Sequence, residues 1–223
     1  MISKNGQPSK PLPRGRLTLD RGRGSILFGE VLEVEEPYQI AFDNEFVRIV
    51  QVTLDAGKTL PKYTPAALPM VRIIFESNVP RLPPGSTHYC ESAPDDRGHT
   101  LREIRVELKA APSAAPMKLD AVRVDPDRYR IDFENDRLRI VRLGFGPHEK
   151  GMMVEHPPRV LATLTDVAVK LLFADGHADE RGAPRGVAAW LDGETLQTEN
   201  AGDNPLEVVL IEPKAPGGAN FSS

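Results

Sequence analysis

The chain repeats itself, and the repeat constrains its fold more than any single motif does. Phe42-Asp43-Asn44-Glu45-Phe46-Val47-Arg48-Ile49-Val50 returns as Phe133-Glu134-Asn135-Asp136-Arg137-Leu138-Arg139-Ile140-Val141. Glu103-Ile104-Arg105-Val106-Glu107-Leu108-Lys109 is echoed by Glu207-Val208-Val209-Leu210-Ile211-Glu212-Pro213-Lys214. Two echoes in the same order imply two copies of one structural unit. The spacing between matched positions grows along the chain, which predicts an insertion in the second copy near 174–184.

The unit is built of strands. Phe46-Val47-Arg48-Ile49-Val50-Gln51-Val52 alternates apolar and polar residues, the mark of a half-buried strand. Further strands are predicted at 70–75 and 101–108 in the first copy, and at 138–143, 160–164, 168–173, 186–190 and 206–211 in the second. Asp175-Gly176 and Asp192-Gly193 read as hairpin turns, because glycine tolerates the positive φ such turns need. With 21 prolines and 18 glycines punctuating short segments, an all-β fold follows. Ala110 to Pro116 is small and proline-bearing and reads as a linker. The predicted organisation is an N-terminal basic arm and strand at 1–35, a first unit at 36–109, a linker at 110–117, a second unit at 118–214 and a flexible tail at 215–223.

The 223 residues are 40% apolar and carry a net charge of -4, which argues against nucleic acid or anionic membrane as a partner. The arm is locally basic, with Lys4, Lys10, Arg14, Arg16, Arg21 and Arg23 against Asp20. It has no aromatic residue to stack on bases, so it reads as a solvated arm lying over the body or a partner subunit. No apolar run approaches the roughly 20 residues of a membrane-spanning helix, and no signal-peptide core is visible. A cytoplasmic location is expected, with a removed signal peptide as the alternative. The single Cys90 excludes an intrachain disulfide.

Several local patterns bear on function. Pro83-Pro84-Gly85-Ser86-Thr87-His88 has the form P-x-G-x2-H. Gly146-Pro147-His148-Glu149-Lys150 precedes Val154-Glu155-His156-Pro157. Gly186 and Trp190 are followed by Leu196, Glu199 and Asn200. In order and spacing these pieces resemble the cupin superfamily, in its duplicated, bicupin form. The resemblance implies two tandem jelly-roll β-barrels. It also implies a divalent metal held by three His and one Glu, because H-x-H on a strand aims two imidazoles to one side. Here Lys62, Thr64, Val154 and Leu196 stand where such ligands belong, leaving His88 in the first copy and His156 in the second. The other histidines, His99, His148 and His177, sit in polar turns. A lone imidazole does not make a first-row metal site.

The resemblance therefore implies a degenerate bicupin without bound metal or cofactor and without catalytic residues, serving to bind a small ligand or as a structural protein. The alternative is a metal-dependent cupin enzyme, a dioxygenase or a sugar- or small-acid-modifying enzyme, with non-standard ligands. A third class is an interaction protein using the basic arm. The residues expected around a ligand pocket are His156, Trp190, Met152, Val154 and Leu196 in the second barrel, with His88 and Lys62 in the first. His156 is either a polar anchor for a guest or a neutral core histidine with one hydrogen bond. Lys62 either reaches solvent or marks an anion site. His88 and Cys90, two apart, are either a nucleophile pair or same-face neighbours with no chemistry. Pairing of barrel edges into a homodimer is expected, with the strand at 26–34 covering or exchanging with the partner.

Overall fold

The computed structural model describes residues 37–55, 57, 68–92, 94, 98–113 and 116–215. The basic arm, the strand at 26–34, Lys62, Thr64 and the tail after 215 lie outside the described residues, as does the proposed edge exchange that rests on 26–34. In chain order the elements are β1 (Tyr38–Asp43), β2 (Val47–Leu54), β3 (Met70–Ser77), β4 (Thr87–Cys90), β5 (Leu101–Leu108), α1 (Ala121–Val124), β6 (Tyr129–Glu134), β7 (Leu138–Phe145), β8 (Lys150–His156), β9 (Arg159–Thr163), β10 (Val167–Phe173), β11 (Ala178–Ala183), β12 (Ala188–Leu191), β13 (Glu194–Asn200) and β14 (Leu206–Pro213).

The echoed segments form the same hairpin twice. Asn44 accepts from the backbone N–H of Phe46 and Val47 at 2.9 and 2.8 Å; Asn135 does the same for Arg137 and Leu138 at 2.9 and 3.0 Å. Short side chains of this kind stabilise turns by taking over backbone donors. Lys109 and Lys214 close each hairpin from the far strand, donating to the carbonyls of Asn44 and Asn135. Each copy also carries a register shift at the same place, between Ile40 and Phe42 and between Ile131 and Phe133. The pairs Arg48↔Glu107 and Arg139↔Glu212 face each other across equivalent strands.

Strand order extends the equivalence. The first unit forms a five-stranded sheet, β1-β2-β5-β3-β4, and the second forms β6-β7-β14-β9-β12. The second unit adds a four-stranded sheet, β8-β13-β10-β11. Its eight strands β7 to β14 thus divide between two facing sheets ordered 7-14-9-12 and 8-13-10-11, which is a jelly roll. The expected insertion is the antiparallel hairpin β10–β11, with the predicted Asp175-Gly176 at its tip and Gly176 at φ 83°. In the first unit the described residues form only one of the two sheets.

The two five-stranded sheets pack face to face into one core. Val47, Ile49, Val71, Ile73 and Val106 of the first meet Ile140, Val160, Ala162, Val209 and Ile211 of the second. Aromatic pairs seal the seam: Phe46 stacks on Trp190 with centroids 5.4 Å apart, and Tyr89 on Phe133 at 5.3 Å. Arg142 donates to the Gly85 carbonyl at 3.0 Å and Arg185 to that of Phe75 at 3.2 Å. The linker thus joins units that share an apolar interior.

Two expectations are corrected, and several strands lie outside those expected. Asp192-Gly193 is not a hairpin, because β12 pairs with β9 and β13 with β8 and β10; the dipeptide carries the chain between sheets. The strands β1, β6, β8, β11 and β13 carry too many polar residues or too little alternation to have been recognised. His88 does not occupy the slot suggested by P-x-G-x2-H. It lies opposite Arg72, as Ala189 lies opposite Leu161, so its counterpart is Ala189 on β12 and not Leu196 on β13.

A shared core predicts shared unfolding. Denaturant melts followed by far-UV circular dichroism and by Trp190 fluorescence should coincide in one transition. Ile73→Ala, at a fully buried seam position, should lower stability by about 2–5 kcal/mol without separating the two signals. Two resolved transitions would contradict the shared core.

Candidate ligand cavity

Strand alternation decides what faces the interior of the jelly roll. On β14, Val209 and Ile211 face the first unit, while Leu206, Val208 and Leu210 face inward. Leu161 of β9, Leu171 of β10 and Leu196 of β13 meet them from other strands. Together they line a cavity of about 100 Å³ between the two sheets, walled mainly by aliphatic side chains and reaching the edge strands β11 and β12. In the first unit, Arg72 and Arg105 stand where the second has Leu161 and Leu210, as the strand registers show. Arg72 donates to Glu103 at 2.7 Å, and Arg105 also pairs with Glu103; all three are buried. One copy keeps an apolar interior, whereas the other carries a buried ion cluster.

One end of the cavity is polar. His156 ends β8, is only 5% exposed, and lies 3.5 Å through Nε2 from the Tyr129 hydroxyl. Arg159 begins β9 and donates to Glu194 at 2.7 Å and to the carbonyls of Pro157 and Asp192 at 3.2 and 3.3 Å. Glu194 sits directly opposite His156 in the β8–β13 register, so Arg159 is held beside the imidazole. Below them, Arg139 is bound by Glu212 at 2.7 Å and by Asp120, the N-cap of α1, at 2.8 Å. Burial, reinforced by the charges of Arg159 and Arg139, holds the His156 imidazole well below its ordinary pKa, so it is neutral. Burial also raises the pKa of the Tyr129 phenol and keeps its proton in place. Glu212 is pushed up by burial, opposed by Arg139.

The residues expected around the pocket divide. His156 and Leu196 line the cavity. Val154 is fully buried in the adjoining core with Tyr129 and Phe145 but is not part of the cavity wall. Met152 is 57% exposed. Strict alternation would have turned it inward with Val154 and His156. Between Lys150 and Met153, however, β8 has one more residue than β13 opposite it. This bulge reverses the facing of the residues before it. Trp190 faces the other side of its strand, toward the first unit, where it stacks on Phe46. His88 lies in the first unit, its Nε2 2.8 Å from Ser86 Oγ, and Ser86 donates to the Pro83 carbonyl. Its register neighbour is Arg72, and that of Cys90 is Met70. Arg159, Glu194, Tyr129 and Thr198 were missed; the Arg159–Glu194 pairing joins residues 35 apart in sequence and carries no local signal. The side chain of Asn200, at the end of β13, donates to the carbonyls of Gly146 and Asn204.

The metal implied by the resemblance does not fit these residues. His88 and His156 belong to different units, and Val154 and Leu196 are aliphatic. Among the described residues no group of three or more His, Cys, Asp or Glu is placed to hold a metal ion.

No family model matches the sequence, and a search of curated proteins found no match. Solved structures are similar in fold. A cupin domain from Bordetella pertussis Tohama I is 22% identical, over 39% of this chain and 92% of its own, with a TM-score of 0.37. A cupin 2 conserved barrel domain protein from Leptotrichia buccalis is 11% identical over 88% of this chain and 98% of its own, with a TM-score of 0.47. Oxalate decarboxylase from Bacillus subtilis, a protein with Mn(II) centres, is 9% identical over 78% of this chain and 70% of its own, at 0.42. The fold is an all-β jelly roll on the evidence of its own strand order.

The neutral state of His156 makes stability depend on pH. Below about pH 6.5 the unfolded chain binds a proton there that the folded protein does not, so acid favours unfolding by up to about 1.4 kcal/mol per pH unit. Glu212 acts in the opposite sense, because its raised pKa favours the folded state at low pH and loses that contribution as pH rises. The comparison of wild type with His156→Leu isolates the imidazole. Between pH 7.5 and 5.5 the wild type should lose stability relative to the variant in urea melts, and parallel curves would show that His156 takes up protons freely.

Proposed function

We propose that the chain binds a small, mainly apolar molecule in the cavity of its second unit and does so without a metal. One observation carries the reading: an aliphatic cavity of about 100 Å³ ends at a buried, neutral histidine whose Nδ1 has no hydrogen-bond partner. Binding sites for small molecules are typically concave and apolar with a few polar groups that orient the guest. A packed core would close on its own side chains, and a buried nitrogen left unpaired costs about 1–3 kcal/mol. The reading supports a carrier, sensor or sequestering role over catalysis, since the described polar groups are mostly engaged with each other. Enzymes and uncharacterised proteins share the cupin fold, so the fold itself does not choose between them.

His156→Leu separates a ligand site from a filled core. Its one hydrogen-bond contact, to the Tyr129 hydroxyl, is long at 3.5 Å. The substitution should therefore shift the melting temperature little while weakening a guest found by thermal-shift screening of small neutral organics by about tenfold. A large drop in melting temperature, with no compound stabilising the wild type, would favour a filled core. Stoichiometric metal in untagged protein, lost in His156→Ala, would favour the enzyme.

A further inference from the structure

The exposure of its wall locates the mouth of the cavity. Leu196, Val208 and Leu210, on β13 and β14, are buried, whereas Arg181, Ala183, Val187 and Leu191, on or beside β11 and β12, are half-buried. β11 and β12 are edges of the two facing sheets, and no backbone ladder joins them. Among the described residues β11 pairs only with β10 and β12 only with β9. The other side of the jelly roll is different. There Ala121 of α1 and Tyr129 of β6 pack with Phe145 and Val154 into a closed core.

Arg181 is the longest side chain that β11 or β12 contributes to the wall. Its neighbours there are small: Gly182 and Ala183 beside it, Ala188 and Ala189 on β12. Register sets Arg181 opposite Val169, yet its guanidinium lies over the ring of Phe173, further along β10, at 5.6 Å from the centroid. The side chain therefore runs lengthwise along the hairpin, and only 20% of it is exposed. Its Nε donates to Asp179 at 2.8 Å, and Phe173 stacks in turn on His177 near the hairpin tip. Asp179 is 41% exposed. An ion pair this open to solvent, with one cation–π contact, is weak enough to break and re-form.

Resting on the cavity reading above, we propose that the guest enters and leaves between β11 and β12, and that Arg181 is the gate. Held by Asp179 and Phe173, its aliphatic stem covers the gap that the small residues leave. Released, it extends into solvent on that flexible stem, and the gap opens without any movement of a strand. The gate lies on β10–β11, the insertion that distinguishes the second copy from the first. A gate changes how fast a guest exchanges and not how tightly it binds, because entry and exit need the same opening.

Xenon and fluorobenzene are suitable probes, because dry apolar cavities take up small apolar guests of this kind. Exchange NMR of ¹²⁹Xe and ¹⁹F on the full chain gives the association rate, the dissociation rate and Kd. Arg181→Ala should raise both rates by about tenfold and leave Kd within about twofold, the scale set by one partly exposed ion pair and one cation–π contact. Asp179→Asn leaves Arg181 in place but unlatched, and should move both rates the same way by a smaller factor. Ala183→Leu fills the gap from β11 and should slow both. Unchanged rates in Arg181→Ala would overturn the gate and leave the cavity reading standing. A change in Kd through the dissociation rate alone would make Arg181 a contact of the guest and overturn the gate as well. Unchanged rates in Ala183→Leu would place the entrance elsewhere. Uptake of neither probe would sink the cavity reading and the gate together.

Discussion

The face-to-face packing of two five-stranded sheets is the constraint on which the rest of the molecule depends. A sheet whose residues are apolar on both faces must cover both, and here the sheet of each unit covers one face of the other. Val71, Ile73 and Val106 against Ile140, Val209 and Ile211 commit those faces to the seam. Because side chains alternate, the same commitment turns Leu161, Val208 and Leu210 toward the jelly-roll interior. The cavity is thus a consequence of the seam. Trp190 belongs to the seam for the same reason, as the residue between the cavity-lining Ala189 and Leu191.

The two copies kept their hairpins and diverged in their interiors. Asn44 and Asn135, Lys109 and Lys214, and the Arg–Glu pair of each copy serve the same local purposes. Behind the seam, however, the first unit buries Arg72, Glu103 and Arg105 where the second has Leu161, Val208 and Leu210. Buried charges cost several kcal/mol each unless paired, so that side of the first unit is organised around its own ions. The second unit gathers its charges at one end, around Arg139 and Arg159, and leaves the remainder aliphatic. Low dielectric there strengthens the hydrogen bonds that are made and raises the cost of those that are not. His156 Nδ1 and Arg159 Nε are among the atoms that bear it.

Much of the scaffold was legible in the residues. The echo of Phe42 to Val50 in Phe133 to Val141 announced the duplication, and alternation located β2, β5, β7 and β14 to within a few residues. The Asp175-Gly176 turn and the insertion around it marked the β10–β11 hairpin. The site was legible only in part. His156 and Leu196 were found because a motif places them at the ends of recognisable patterns. Met152 was misplaced because a bulge in β8 is invisible to a rule of strict alternation. His88 was misplaced because P-x-G-x2-H also fits the turn before β4, whose partner β3 makes it the counterpart of Ala189.

What the sequence by itself determined was the local and periodic part: the repeated unit, the strands with clear alternation, and the turns that need Asn or Gly. These follow from interactions between residues close in the chain, or from the two-residue period of a strand. Tertiary structure alone decided which apolar face joined the seam and which lined a cavity. It also decided that Arg159, Glu194, Tyr129 and Thr198 converge on His156. Those outcomes depend on strand order and register, where β8 and β13 or β9 and β14 meet across dozens of residues. No local pattern encodes which side chain a strand will find opposite it.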